Sequence, residues 1–177
     1  MSDRIKLMAS TALGTGLAPV APGTFGTLPA VALFVVIALF SPAGWYLPLV
    51  GGALASSCIA SVPLGAWAAR HWQGKDPSHF VLDEVAGFLL TVLIFPGPLL
   101  FGDAPFPLTD PATLAWTALW AFLAFRLFDI TKLPLVSHAE RLPEGWGILA
   151  DDLVAAVYAG ALLHLMLFIS PALFGVG

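Results

Sequence analysis

Five carboxylates stand at the edges of apolar runs: Asp83-Glu84 leads into VAGFLLTVLIF, Asp129 closes LAWTALWAFLAFRLF, and Asp151-Asp152 leads into LVAAVYAGALLHLMLFI. An ionised carboxylate beside so much hydrocarbon is costly unless it is paired, wet or bound to a cation. Oxygen donors with no accompanying Cys or His arrangement favour Mg²⁺ over zinc or copper. A plainer reading exists for Asp83, since an acid at a helix N-terminus caps it and meets the favourable end of the dipole. The same reading is open for Asp151 or Asp152. Adjacent acids project about 100° apart on a helix, so one member of each pair is the expected direct ligand. Asp129 is different, because it lies near a C-terminal helix end where the dipole opposes it. Arg126, Asp129 and Lys132 follow at i, i+3 and i+6 and share one broad stripe. An intrahelical ion pair with snorkelling is the bland account. A carboxylate between two cations suits a site that holds both a metal and a phosphate.

Two further segments have the composition for anion binding. The run from Gly14 to Thr27, GTGLAPVAPGTFGT, sets Gly14, Gly16, Gly23 and Gly26 beside Thr24 and Thr27. Such a loop can bring consecutive N–H groups to an anion near a helix N-terminus, or it can be a re-entrant turn without a ligand. Lys75, next to Asp76, is a weaker candidate phosphate contact. His71, His79 and His138 match no zinc spacing, and His164 reads as a packed histidine with a hydrogen bond.

The elements that must position these groups are apolar helices. The chain has 177 residues, 59% hydrophobic and 10% charged, with mean hydropathy +0.92. Water-soluble domains carry about 25% charged residues, so an all-α polytopic membrane bundle is expected, a single domain over 1–177. The net charge of -4 comes without a basic stripe, which argues against nucleic-acid binding. The single cysteine, Cys58, excludes an internal disulfide. Arg4 and Lys6 faintly imitate the start of a signal peptide, but Gly14, Gly16 and Pro19 interrupt the apolar stretch, so no cleaved leader is expected.

Apolar runs predict five helices, at about 28–41, 46–69, 84–101, 112–128 and 150–170. The first is the weak one. Its run from Leu28 to Phe40 reaches only about 20 Å against a hydrocarbon core of about 30 Å, which leaves two forms open: a helix extended through Pro42, or a short, re-entrant one that enters and leaves as a hairpin with helix two. All seven Lys and Arg residues fall in the N-terminal segment, between helices two and three, or at and after the end of helix four; SPAGWY and FGDAPFPLTD carry none. Five alternating spans put every positive charge on one side, which the positive-inside rule makes cytoplasmic. The carboxylates then converge at that face. Ala155, Ala156, Ala159 and Gly160 would let helices approach closely there.

Four ordered motifs, GTGLAPVAPGTFGTLPA, KDPSHFVLDEVAG, FRLFDITKLP and GWGILADDLVAA, resemble those of the phosphatidylglycerophosphatase A family. The chain departs from the family's pattern at Leu133, which stands where Pro usually follows the lysine, and at Gly145-Trp146 and Leu149, where paired glycines and a methionine are usual. These changes touch loop shape more than charge. The resemblance implies a Mg²⁺-dependent phosphatase of the bacterial inner membrane that converts phosphatidylglycerophosphate to phosphatidylglycerol. Asp83, Glu84, Asp129, Asp151 and Asp152 would then supply metal ligands and their supporting shell. Lys132 and Arg126 would contact phosphate, and the Gly14–Thr27 loop would cradle the headgroup. A carboxylate nucleophile and direct water attack both stay open. So does a rival class, a cation or proton transporter, although such a path needs polar groups near the bilayer midplane. The composition does not address the oligomeric state.

Overall fold

The computed structural model describes residues 2–42, 44–95, 110–135, 142 and 145–175. His138, Arg141, the end of the third predicted helix and nearly all of the connection at 101–110 lie outside them.

The architecture is all-α. A short helix α1 (Asp3–Ser10) and a 3-10 turn (Thr15–Leu17) precede α2 (Pro22–Phe40) and α3 (Tyr46–His71). Then come α4 (Leu82–Ile94), α5 (Pro111–Thr131), α6 (Gly145–Ile169) and a closing 3-10 turn (Pro171–Phe174). Among the described residues α2, α3, α5 and α6 are long and apolar enough to cross a membrane. Their outer faces are apolar as well. Leu119, Leu123 and Leu127 are exposed on α5, and Phe40, Ile59 and Phe168 are more than three-quarters exposed. A helix that is hydrophobic all round is buried in a large protein core or crosses a membrane.

Two expectations about length are corrected. The first long helix begins at Pro22, not near 28, and its 19 residues give it the reach to span. Pro22 takes the first helical position, where its missing N–H costs little. The adjoining glycines, which look like loop in the sequence, allow close packing: a Cβ on Gly26 would collide with the Val81 side chain. The short element is the third one, α4, which ends at Ile94 after 13 residues.

That short helix is the centre of the bundle. It packs on α2, α3, α5 and α6, and most closely on α6. Phe88, Leu89 and Val92 are fully buried, with Phe88 edge-on to Phe34 of α2. Gly87 lets α4 approach α5 and α6, since a Cβ there would stand 2.5 Å from the Phe125 ring and 3.1 Å from the Asp152 carbonyl. At the far end the Tyr46 hydroxyl donates to the Val92 carbonyl at 2.9 Å. Asp110 caps α5 there, accepting from the Thr113 amide at 2.9 Å. Hydrogen bonds from the Thr113 hydroxyl and backbone hold its carboxyl below the usual range.

Gly145, the first residue of α6, sits against the backbone of α3, where a Cβ would overlap the Val62 carbonyl oxygen. Main chain cannot swing aside as a side-chain tip can. Gly145→Ala is therefore expected to cost about 2–3 kcal/mol, read as a lowered unfolding midpoint in detergent. An unchanged midpoint would contradict this packing.

Candidate functional site

The N-termini of α2 and α4, the start of α6 and the C-termini of α3 and α5 meet at one end of the bundle. They enclose a cleft of about 250 Å³. Asp83 and Glu84 reach it from the first turn of α4, and Arg126 and Asp129 from the last turns of α5. Asp151 and Asp152 enter from α6, Lys132 from the end of α5, and Pro22 and Gly23 from the start of α2. Asp76, Ser78 and Phe80, from the segment joining α3 to α4, complete the wall.

Arg126 is the hub. Its Nη1 donates to Glu84 Oε2 at 2.8 Å and also pairs with Asp129. These three side chains are 13–15% exposed, so the ion pairs are shielded far more than surface pairs are. Glu84 is fixed further by the Thr27 hydroxyl, which donates to Oε2 at 2.9 Å. Lys132 serves the other side. It donates to Asp151 Oδ2 at 3.2 Å, and its Nζ lies 3.9 Å from Asp76.

Lys132 does not continue the helical stripe expected from its spacing with Arg126. The helix ends at Thr131, and Lys132 is its C-cap in the left-handed region at φ 44°. That conformation is uncommon for a side chain other than glycine. It turns Lys132 away from Arg126 and toward Asp151.

The capping accounts fail for α6 and weaken for α4. Helix α6 starts at Gly145, so Asp151 and Asp152 lie more than a turn inside it, buried at 5% and 2% exposure. Asp83 is 5% exposed, and its Oδ1 accepts from the adjacent Glu84 amide at 2.9 Å. The N-cap of α4 is Val81, without a side-chain bond. Both members of each acidic pair line the cleft.

The Gly14–Thr27 segment divides. Gly23 lines the cleft, and Thr27 supports it through Glu84. Gly14, Gly16, Thr24 and Gly26 are not in its wall. Gly14 takes a left-handed turn at φ 94°, and Gly16 packs beneath the His79 carbonyl and Val81. Lys75 is not in the wall either, whereas its neighbour Asp76 is. Sequence reasoning left Asp76 and Ser78 out of the site. The available signal was their place in a polar segment running straight into Asp83.

Six carboxylates therefore face two cations in one shielded cleft. Two buried polar atoms in it lack any hydrogen-bond partner among the described residues: Asp152 Oδ2, an acceptor, and Arg126 Nε, a donor. A lone acceptor among carboxylates is suited to a cation, and a lone guanidinium donor beside it to an anion. Among the described residues no three or more His, Cys, Asp or Glu side chains are arranged so that they could hold a metal ion as they stand. Arg126 and Lys132 now occupy Glu84, Asp129 and Asp151. The donor chemistry, all oxygen, fits a hard divalent cation. His164, deeper in the bundle, is satisfied: its Nδ1 lies 2.8 Å from the Gly160 carbonyl, and its ring packs against Phe95.

Fold and site together define an all-α bundle with four helices long and apolar enough to cross a membrane and a cleft rich in carboxylates, with two cations, at one end. Residues 8–167 match the sequence profile of phosphatidylglycerophosphatase A. The chain belongs to that family and is a phosphatase. It is 29% identical to a phosphatidylglycerophosphatase A of Haemophilus influenzae over 154 residues, covering 86% of this chain and 82% of that protein. With the Escherichia coli phosphatidylglycerophosphatase A it shares 29% over 166 residues, 93% of this chain and 84% of the relative. A Bacteroides thetaiotaomicron protein, provisionally described as a phosphatidylinositol-3-phosphatase, is 33% identical over 166 residues, 90% of this chain and 91% of its own. No solved structure matches the chain.

Proposed function

We propose that the cleft hydrolyses phosphatidylglycerophosphate to phosphatidylglycerol and phosphate, with Mg²⁺, at the cytoplasmic face of the bacterial inner membrane. The observation that carries this reading is the excess of carboxylates over cations in one cleft, with Asp152 Oδ2 and Arg126 Nε left unpartnered. Family membership supplies the reaction class. The positive charges support the orientation, since Arg4, Lys6, Arg70, Lys75, Arg126 and Lys132 all belong to segments at the cleft end. A lipid phosphomonoester would reach the cleft from the headgroup layer while its acyl chains stay beside the exposed apolar faces of the helices.

Asp83, Glu84, Asp129, Asp151 and Asp152 are the residues that would hold Mg²⁺, either directly or by orienting its water ligands. When bound, the ion neutralises phosphate charge and lowers the pKa of coordinated water. Arg126 would turn its Nε and a freed Nη toward the phosphate, and Lys132 would give up part of its pairing with Asp151 to do the same. Thr27 keeps Glu84 oriented during that exchange. Two routes are chemically open to this set. Water attacks phosphorus while a carboxylate takes its proton, or a carboxylate attacks and water later releases the phosphate. In both, the P–O bond to the glycerol oxygen breaks, and the leaving oxygen is protonated.

The Bacteroides relative raises a phosphoinositide as a competing substrate. Membership of the phosphatidylglycerophosphatase A family, with two relatives of that name, favours the glycerol phosphate headgroup over an inositol ring. Phosphate release from phosphatidylglycerophosphate and from phosphatidylinositol-3-phosphate, each in mixed micelles with Mg²⁺, tests the choice. We expect at least about tenfold higher kcat/KM for the former, a difference of about 1.4 kcal/mol. Preference for the phosphoinositide would overturn the substrate assignment while leaving the phosphatase class.

A further inference from the structure

A second feature at the cleft end of the bundle shares no residue with the cleft. Between α1 and α3 runs a groove of about 380 Å³ whose wall includes Lys6, Ala60, Pro63, Leu64, Trp67 and Arg70. Its α3 residues form one stripe at helical spacing, with Ala60 deepest and Arg70 at the membrane-surface end. At 1.5 Å per residue the stripe is about 15 Å long. The groove is therefore apolar along its depth and cationic at its mouth.

The mouth is organised. Lys6 Nζ lies 5.7 Å from the centre of the Trp67 ring, and His71 stacks on that ring at 4.6 Å between centroids. Lys6 also pairs with Asp3 at 2.9 Å, but Asp3 is 79% exposed and such a pair is weak. Arg70 is exposed and makes no ion pair among the described residues.

We propose that this groove holds an anionic phospholipid of the surrounding bilayer as a bound, non-substrate lipid. Its phosphate sits at Lys6 and Arg70, and one acyl chain lies along Ala60, Pro63, Leu64 and Trp67. Charge complementarity selects this occupant. A phospholipid carries its anion at one end and its hydrocarbon below it, which is the polarity order of the groove along the bundle axis. An apolar protein helix would instead give Arg70 no anion and leave Lys6 with only its exposed neighbour Asp3. Binding here pins α1, whose Ser10 carbonyl accepts from the Val81 amide at 2.9 Å at the start of the Asp83 helix. The lipid thus braces the side of α4 that carries the acidic pair.

The test uses the full chain in phosphatidylcholine nanodiscs doped with dibrominated phosphatidylglycerol or dibrominated phosphatidylcholine. Fluorescence quenching of Trp67 is taken as the difference between wild type and Trp67→Phe. Half-quenching is expected at about fivefold lower mole fraction of the phosphatidylglycerol for each cation engaged. The preference should vanish in Lys6→Gln/Arg70→Gln and persist in Lys6→Arg/Arg70→Lys. Equal quenching by both lipids, or a preference that survives the glutamine pair, overturns the proposal. Native mass spectrometry provides a second reading that needs no tryptophan variant: wild type should retain one phosphatidylglycerol and the glutamine pair none. A disulfide-linked dimer through Ala60→Cys, in a Cys58→Ser background, would assign the groove to a second copy and also overturn it. None of these readouts depends on turnover, so failure here is distinguishable from failure of the substrate assignment.

Discussion

Asp152→Asn should cost activity and add stability in the absence of Mg²⁺. Asp152 is 2% exposed, its Oδ2 has no hydrogen-bond partner, and Asp83, Glu84, Asp129 and Asp151 share its cleft. A structural role would have given this carboxylate a cation or donors, because a buried unpaired charge is among the costlier things a fold can contain. Asparagine removes the charge, keeps the shape and places a donor among acceptors. In EDTA the variant is expected to be about 1 kcal/mol more stable than wild type. Millimolar Mg²⁺ should stabilise wild type by linkage and leave the variant nearly unmoved. Turnover should fall about a hundredfold or more, since even groups behind the metal ligands cost 10–100-fold. Thermal unfolding with and without Mg²⁺, alongside phosphate release, reads both effects. A variant less stable than wild type in EDTA would make Asp152 a structural residue.

Arg126→Ala has the opposite signature, losing activity and stability together. Its guanidinium joins Glu84 of α4 to Asp129 of α5, with all three side chains shielded. Removing it strands two carboxylates that Lys132 cannot serve, because the left-handed turn at the end of α5 directs Lys132 to Asp151. The stability loss should be about 3 kcal/mol, the lower end for breaking a buried pair. The rate should fall about 10²–10³-fold, as for loss of one preorganised donor. Arg126→Lys restores the charge but not the planar fork, so it should recover most of the stability and little of the rate. Equal recovery of both would mean that Arg126 acts only as a brace.

The acidic centre was legible in the sequence because carboxylates at the edges of hydrocarbon runs are intrinsically costly, and because the positive charges assigned those edges to one end. Asp129 was the clearest signal, since its helix end opposes it and two cations flank it. What was less legible depended on packing. GWGILA reads as a loop, yet Gly145 starts α6 because only a residue without a Cβ fits beside the Val62 carbonyl. The same early start makes Asp151 and Asp152 interior rather than capping residues. Gly16 and Gly26, expected near a headgroup, are spacers against Val81. The element lengths shifted for a packing reason as well: Pro22–Thr27, which read as loop, form the first turns of α2, while α4 is helical from Leu82 to Ile94. Asp76 and Ser78 enter the cleft through the course of the segment after α3, which no spacing rule encodes.

The most direct test of the site is phosphate release from phosphatidylglycerophosphate in detergent micelles by wild type and Asp129→Asn, each with Mg²⁺ and with EDTA. Release that requires Mg²⁺ and collapses in folded Asp129→Asn is the expected result. Undiminished release in EDTA, or full activity in Asp129→Asn, would contradict a divalent-cation centre built on these carboxylates.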